Sequence, residues 1–388
     1  MHNKGDKMKL FDKIFALQAR LNPDKYVTQE IRSMPSAASV SKKAHHASDI
    51  YAPAYIKQTI SEYKTLRDLV KSFNLPDECS CTFDDVLTGI VCGDMYGSPY
   101  EFVRYGSNIA AYLMCQIKTP GDWTDDSIMT WATYIAVDKI HSYQRSLTDQ
   151  EKLFIFSMTY RDLARQFPAA GYGGGFYDWA VMGIDREEYI SYGDGSAMRA
   201  GIIGILAKDI QECIALAVLS ALPTHSHPEG IKGAVAAAVC TYIAAHGGTK
   251  EQIKEVALFL YPSGAHTQDE YNSLKEDSYI APDCTLVQLI ALEPKTMSAS
   301  CQVTVPIAIA LFLNSSGYLD FITYIQNIAL DADTVGAIGG SIAGAFYHNF
   351  FGMTHTDISA KGSAAPFMKQ VVKRLIQQED RDALFIQK

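Results

Sequence analysis

The chain has 388 residues, 48% of them hydrophobic and 20% charged, with a formal net charge of −9. That is apolar material for one large core or two ordinary ones, and it excludes a disordered polymer. The acidic balance argues against a polyanion gripped by a basic face, so nucleic acid is not an expected partner; a nucleotide-sized ligand held by backbone groups and metal stays open.

No apolar run reaches the length of a membrane span, and the charged residues 1–6 adjoin no signal-peptide core, so no membrane association is expected. The eight cysteines are isolated apart from Cys79 and Cys81, with no zinc-ribbon spacing. This pattern predicts buried thiols in a reducing compartment and a cytoplasmic protein, with export by a machinery that reads a disordered N-terminus left open.

Residues 1–80 read as a helical extension and residues 81–388 as the catalytic domain. In the extension, Leu10, Phe11, Ile14 and Leu17 fit a short amphipathic helix, residues 33–48 an aperiodic linker, and Ile56, Ile60, Tyr63, Leu66, Leu69, Val70 and Phe73 a second helix ending near Pro76. From Phe83 the texture changes. Asp84 and Asp85 precede an apolar helix whose Gly89, Gly93 and Gly97 recur at four-residue spacing, the pattern of close helix packing. Glu101 follows Pro99 between Tyr100 and Phe102, where apolar neighbours raise a carboxyl's pKa; alone it reads first as a surface carboxylate.

The stretch Asp122-Trp123-Thr124-Asp125-Asp126-Ser127 then opens a helix (Ile128, Met129, Ala132, Ile135, Ala136). Two aspartates and a threonine at a helix mouth either cap it or hold a hard cation. A second such cluster, Asp331-Ala332-Asp333-Thr334, opens another helix far down the chain. Two acid-and-hydroxyl helix ends are what a two-metal site needs. Between them lie an amphipathic segment over residues 146–167 and the run Gly171-Tyr172-Gly173-Gly174-Gly175-Phe176. That run favours neither helix nor strand and is expected to bring bare backbone to a ligand, or else to be a flexible loop. Residues 189–199 read as a Gly-rich turn into an apolar helix, capped by Asp194 or Ser196. His225-Ser226-His227 reads as hydrogen-bonding or loop histidines rather than a metal pair. Small residues at 336, 340 and 344 line one face of the helix after Asp333, so another helix can pack very close. Residues 366–385 read as a last amphipathic helix. Helix follows helix without β-α-β alternation, so the expected fold class is all-α.

In order, Gly93-Asp94-x-x-Gly97-x-x-x-Glu101, Trp123-Thr124-Asp125-Asp126-Ser127, Gly171-Tyr172-Gly173-Gly174-Gly175, Gly193-Asp194-Gly195-Ser196-Ala197-Met198-Arg199, Thr224-His225 and Asp331-Ala332-Asp333-Thr334-Val335-Gly336 resemble the ADP-ribosylglycohydrolase family, over about residues 83–352. That family includes the dinitrogenase-reductase-activating glycohydrolases and the ADP-ribose-serine hydrolases. The resemblance implies a compact all-α domain binding two divalent ions, Mg²⁺ or Mn²⁺. Thr124, Asp125 and Asp126 would stand on one side of the ions and Asp331, Asp333 and Thr334 on the other, the ions holding hydroxyls of the distal ribose and a water. It implies that Glu101 assists the reaction, and that Gly173, Gly175, Ser191, Tyr192, Gly193, Asp194 and His225 line the substrate. The implied partner is an ADP-ribosylated protein or a small ADP-ribose conjugate, met by a monomer.

Four positions depart from the family's pattern: Ser127 in place of threonine, Asp194 in place of asparagine, and Ala329-Leu330 in place of a Gly-Gly pair. Because all six implied ligands survive, the expectation is an active hydrolase cleaving the glycosidic bond to ADP-ribose. The alternatives are a non-catalytic ADP-ribose-binding module, which Asp194 favours, and another dinuclear nucleotide hydrolase.

Overall fold

The structure, a computed structural model, describes residues 52–102, 121–183, 190–273, 279–292, 299–328 and 331–348. The helix expected near residue 10, the linker, Ala329-Leu330 and the helix expected over residues 366–385 lie outside them. The described residues form helices and no strand; three isolated bridges, Ile190 with His225, Gly193 with Ser300 and Ala265 with Ile280, pin loops together. The chain is all-α.

The helix expected to run into Phe73 is two: α1 (Pro53–Glu62) and α2 (Lys64–Ser72), parted at Tyr63, whose φ of −90° and ψ of 14° leave the helical register. Their apolar stripes bury Ile56, Leu66 and Val70; α1 lies on α5 (Asp149–Gln166) and α9 (Ile210–Ala221), and α2 on α9 and α11 (Lys250–Leu260). Next comes α3 (Phe83–Gly97), started by a capping box in which Thr82 and Asp85 satisfy each other's backbone N–H. It is followed by α4 (Asp125–Ser142) and by α5, which has a capping box of its own, Thr148 with Glu151.

Gly174 and Gly175, expected to resist helix, form the first turn of α6 (Gly174–Ala180). Burial of Phe176, Trp179 and Ala180 in the core outweighs the poor propensity of two glycines. Two short helices, α7 (Gly195–Met198) and α8 (Ile203–Leu206), lead to α9 and to the Ala-rich α10 (Pro228–Ala245). α10 is apolar nearly all round, as a central helix must be. It packs on α7, α8, α9, α11, α14 (Cys301–Asn314) and α16 (Ala332–Tyr347). α12 (Gln268–Ser273) and α13 (Leu286–Ala291) are short, and α15 (Tyr318–Ile328) packs on α16. The end of α14 is closed by Lys250, whose Nζ donates to the carbonyls of Phe312 (3.1 Å), Leu313 (3.0 Å) and Ser315.

Among the described glycines, the tightest helix contact is α3 against α16. A β-carbon on Gly89 would stand 2.2 Å from the carbonyl oxygen of Gly340, one on Gly93 1.9 Å from that of Gly336, and one on Gly97 2.1 Å from that of Ala332. The glycine stripes of both helices therefore touch backbone to backbone, and this sets the floor of the site.

Candidate active site

Thr124 is the N-cap of α4, and its Oγ1 accepts the N–H of Asp126 at 3.3 Å. That leaves Asp125 and Asp126 in the first turn, where a helix favours negative charge. Asp94, fully buried on α3, locks the turn from outside. Its carboxylate accepts the Thr124 N–H (2.9 Å), the Thr124 hydroxyl (2.9 Å), the Ser127 N–H (3.1 Å) and the Ser127 hydroxyl. Burial first, then Asp333, pushes the Asp94 carboxyl up to about 7.

The second cluster comes in on α16. Asp331 stands at its N-cap without capping it, and Asp333 Oδ1 accepts the Thr334 N–H at 2.9 Å. Thr334 Oγ1 reaches Asp126 Oδ2 at 3.5 Å, so the two expected clusters meet. Burial is the main cause that holds the carboxyls of Asp125, Asp126 and Asp331 well above the usual range; neighbouring carboxylates, Asp333 for the first two and Asp194 for the third, add to it. Asp333 is raised by burial as well. Glu101 follows the 3₁₀ turn Ser98–Tyr100 and is exposed at its surface, yet its carboxylate comes within 4.8 Å of those of Asp331 and Asp333. Desolvation of the carboxyl, then Asp333 and Asp194, raises it to about 7. Desolvation is the direction expected from the sequence; the acidic cluster adds a cause that the sequence did not point to.

Asp194 joins this cluster. Neither it nor Ser196 caps α7: the Asp194 carboxylate accepts the Thr304 hydroxyl at 2.6 Å and lies in hydrogen-bonding reach of Asp331, while Ser196 Oγ donates to Gly230 O at 2.7 Å. Burial is the first cause that lifts Asp194 to about 6.

The remaining expected residues, His225 apart, lie on two segments, one beside Asp125 and one leading into Asp194. Gly173 is the N-cap of α6 with open space over its α-carbon, and Gly175 follows in the first turn. Gly171, at φ +103°, brings this loop beside Asp125, since a β-carbon there would stand 3.5 Å from Asp125 Oδ1. In the turn before Asp194, Ser191 Oγ accepts the Gly193 N–H at 3.0 Å, and Tyr192 is exposed with its ring edge-on to His227 at 5.4 Å. His225 lies beneath Gly193 and Gly195. His227 caps α10, its Nδ1 accepting the Glu229 N–H at 3.2 Å, which fits the loop-histidine reading.

The donor set is hard oxygen throughout, as Mg²⁺ or Mn²⁺ requires. One observation points beyond mutual hydrogen bonding: Asp126 Oδ1 is buried and has no hydrogen-bond partner. A carboxylate oxygen left bare in a buried acidic cluster fits a cation. Sequence reasoning did not name Asp94 or Thr304 as site residues. Asp94 stood in the Gly93-Asp94 motif and carried a signal; Thr304, inside an apolar run, carried none.

The site of this all-α fold gathers seven carboxylates around two helix N-termini, a donor set of the kind that suits divalent cations. The ADP-ribosylglycohydrolase family profile matches residues 83–349, and the chain belongs to that family. Hydrolysis of a glycosidic bond to ADP-ribose is the class of reaction that follows. The human ADP-ribosylhydrolase ARH3 is 26% identical over 309 residues, 68% of this chain and 85% of that protein. The mouse ARH3 is 26% identical over 310 residues, 68% and 83%. A solved ADP-ribosylglycohydrolase-related protein complex shares the fold at a TM-score of 0.50 and 18% identity, over 76% of this chain and 95% of the other. No described helix is long and apolar enough to cross a membrane.

Proposed function

We propose that the chain is a dinuclear-metal hydrolase that releases ADP-ribose from a modified protein side chain or a small conjugate. Thr124, Asp125 and Asp126 would hold one side of an Mg²⁺ or Mn²⁺ pair, and Asp331, Asp333 and Thr334 the other. When bound, such ions supply Lewis-acid charge that fixes ribose hydroxyls. Glu101 serves as the acid–base residue. Cleavage at the anomeric carbon passes through an oxocarbenium-like state; the bond to the leaving atom breaks, that atom takes a proton, and water adds at carbon. A carboxyl near 7 is populated in both protonation states at neutral pH, so Glu101 is suited to give the first proton or take the second.

Gly173, Gly175, Ser191, Tyr192, Gly193 and His225 line the ADP-ribosyl group in this reading, and Asp194 stands between that lining and Asp331. The observation that carries the proposal is the placing of Glu101 against Asp331 and Asp333. The described cysteines are free thiols, which supports a reducing, cytoplasmic setting, and the protein is proposed to act as a monomer. A panel of arginine-linked, serine-linked, acetyl-ester and nucleic-acid-end ADP-ribose substrates, with and without Mg²⁺, tests it. Metal-dependent release of free ADP-ribose from any of them is the expected result. Tight ADP-ribose binding without turnover of any substrate would replace hydrolase with binding module, and release of phosphate would replace it with a nucleotide hydrolase.

A further inference from the structure

Arg199 is the largest fully buried side chain among the described residues. Its guanidinium lies over the Tyr160 ring at 4.1 Å and donates from Nη2 to Ser220 O at 3.0 Å and to Thr224 Oγ1 at 2.8 Å. Thr224 is itself fully buried, and its Oγ1 stands 2.7 Å from His225 Nδ1. The direction of these bonds follows from chemistry. A guanidinium only donates, so it takes a lone pair of the threonine oxygen. The hydroxyl hydrogen then needs an acceptor, and among the described residues His225 Nδ1 is the one the structure gives it. Were Nδ1 protonated instead, the oxygen would accept twice and the buried hydroxyl hydrogen would be stranded.

We infer that Arg199 and Thr224 are positioning residues that fix His225 as the tautomer with its hydrogen on Nε2, so the Ser191 to Gly195 turn is served by a hydrogen-bond donor and never by an acceptor. The Nε2 edge of the ring lies against Gly193 and Gly195, where β-carbons would stand 3.6 and 3.1 Å from Nε2. A side chain at Gly195 would crowd the ring, and one at Gly193 would only touch it. Burial first, and then the charge of Arg199, holds the His225 pKa well below the usual value, so the ring is neutral and its tautomer is what matters. A fixed N–H donor suits a ligand oxygen that accepts, as phosphate and ribose oxygens do. The identity of that ligand as an ADP-ribosyl group rests on the proposed function; the tautomer does not.

The test is ¹⁵N NMR of histidine-labelled full-length protein, with His225 assigned from the signal lost in His225→Gln. Nε2 of the pyrrole type and Nδ1 of the pyridine type are expected for the wild type and for Thr224→Ser, which keeps the hydroxyl. Thr224→Val should release the tautomer and weaken ADP-ribose binding roughly tenfold by calorimetry, the loss of about one directed hydrogen bond, with binding restored in Thr224→Ser. A wild-type ring protonated on Nδ1 overturns the inference. So does a folded Thr224→Val protein with unchanged tautomer and affinity. If Thr224→Val does not fold, the wild-type and Thr224→Ser spectra decide. If the tautomer is as expected but ADP-ribose binds neither protein, the relay stands and the ADP-ribosyl reading falls.

Discussion

Gly93→Ala is the sharpest perturbation this fold offers, because the substitution is favourable for a lone helix and forbidden in this one. In an exposed helix, alanine gains about 1 kcal/mol over glycine. Here the new methyl would stand 1.9 Å from Gly336 O, 2.4 Å from Gly336 C and 3.1 Å from Ala337 N, all backbone atoms that no rotamer change can move. Restoring a 3.0 Å contact requires α3 and α16 to part by about 1 Å. Overpacking of this kind costs about 1–3 kcal/mol and occasionally more; against backbone atoms that cannot yield the upper end applies, so the propensity gain is outweighed and net destabilisation of about 2 kcal/mol is expected. The same displacement moves Asp94, next in sequence, away from Asp333, which α16 carries. A shift of about 1 Å in a catalytic constellation costs on the order of a hundredfold in rate. The assay is a pair of measurements on one protein: urea denaturation for stability and single-turnover release of ADP-ribose for rate. Equal or higher stability with unchanged rate would refute the close-packing argument, and with it the claim that the glycine stripes fix the distance between the two acidic helix ends.

Glu101→Gln keeps size and hydrogen-bonding reach but cannot exchange a proton; the rate should fall by about a hundred- to ten-thousandfold, with ADP-ribose affinity by calorimetry changed less than about tenfold. In chelator, Asp94 and Asp194 have carboxyls raised to about 7 and about 6. The stability they contribute is full below the unfolded carboxylate value of about 4 and is lost as pH rises through about 6 and 7. Urea melts should therefore show metal-free protein weakening over that window and Mg²⁺ reversing the loss; metal-free protein that gains stability there would contradict the buried acidic cluster. Lys250→Met removes one donor from the carbonyls of Phe312, Leu313 and Ser315, of which Phe312 O keeps the Ser315 hydroxyl and Ser315 O the Tyr347 hydroxyl, and should cost about 1 kcal/mol in a denaturant titration, without effect on rate. Deleting residues 1–76, up to the proposed domain boundary near residue 80, should keep the rate on a small substrate. It should lower Tm, because it uncovers the faces of α5, α9 and α11 that Ile56, Leu66 and Val70 cover.

What the sequence disclosed, and what it hid, follows from the range of each interaction. Local chemistry was legible: Asp125 and Asp126 behind Thr124, and Asp333 behind Asp331, are patterns of a few residues, and both do open helices. The glycine stripes were legible as a demand for close packing, since four-residue spacing fixes a face. That their partners were each other, Gly93 on Gly336 and Gly89 on Gly340, was not, because nothing in either stripe names its mate. The glycine run at residue 173 was misread as non-helical because propensity is a weak prior that a buried Phe176 and Trp179 override. Asp194 shows the limit most plainly. By position it belongs to the turn that the family resemblance puts beside the substrate, and its charge reads there along the chain. In the fold, Thr304 on a distant apolar helix takes its carboxylate, and Asp331 lies on its other side. A carboxylate at this place adds a buried negative charge to a cluster already crowded with them, a burden that divalent cations relieve and a neutral amide would not create. The departure that favoured a mere binding module when read along the chain therefore becomes, in three dimensions, a further reason for this site to seek metal.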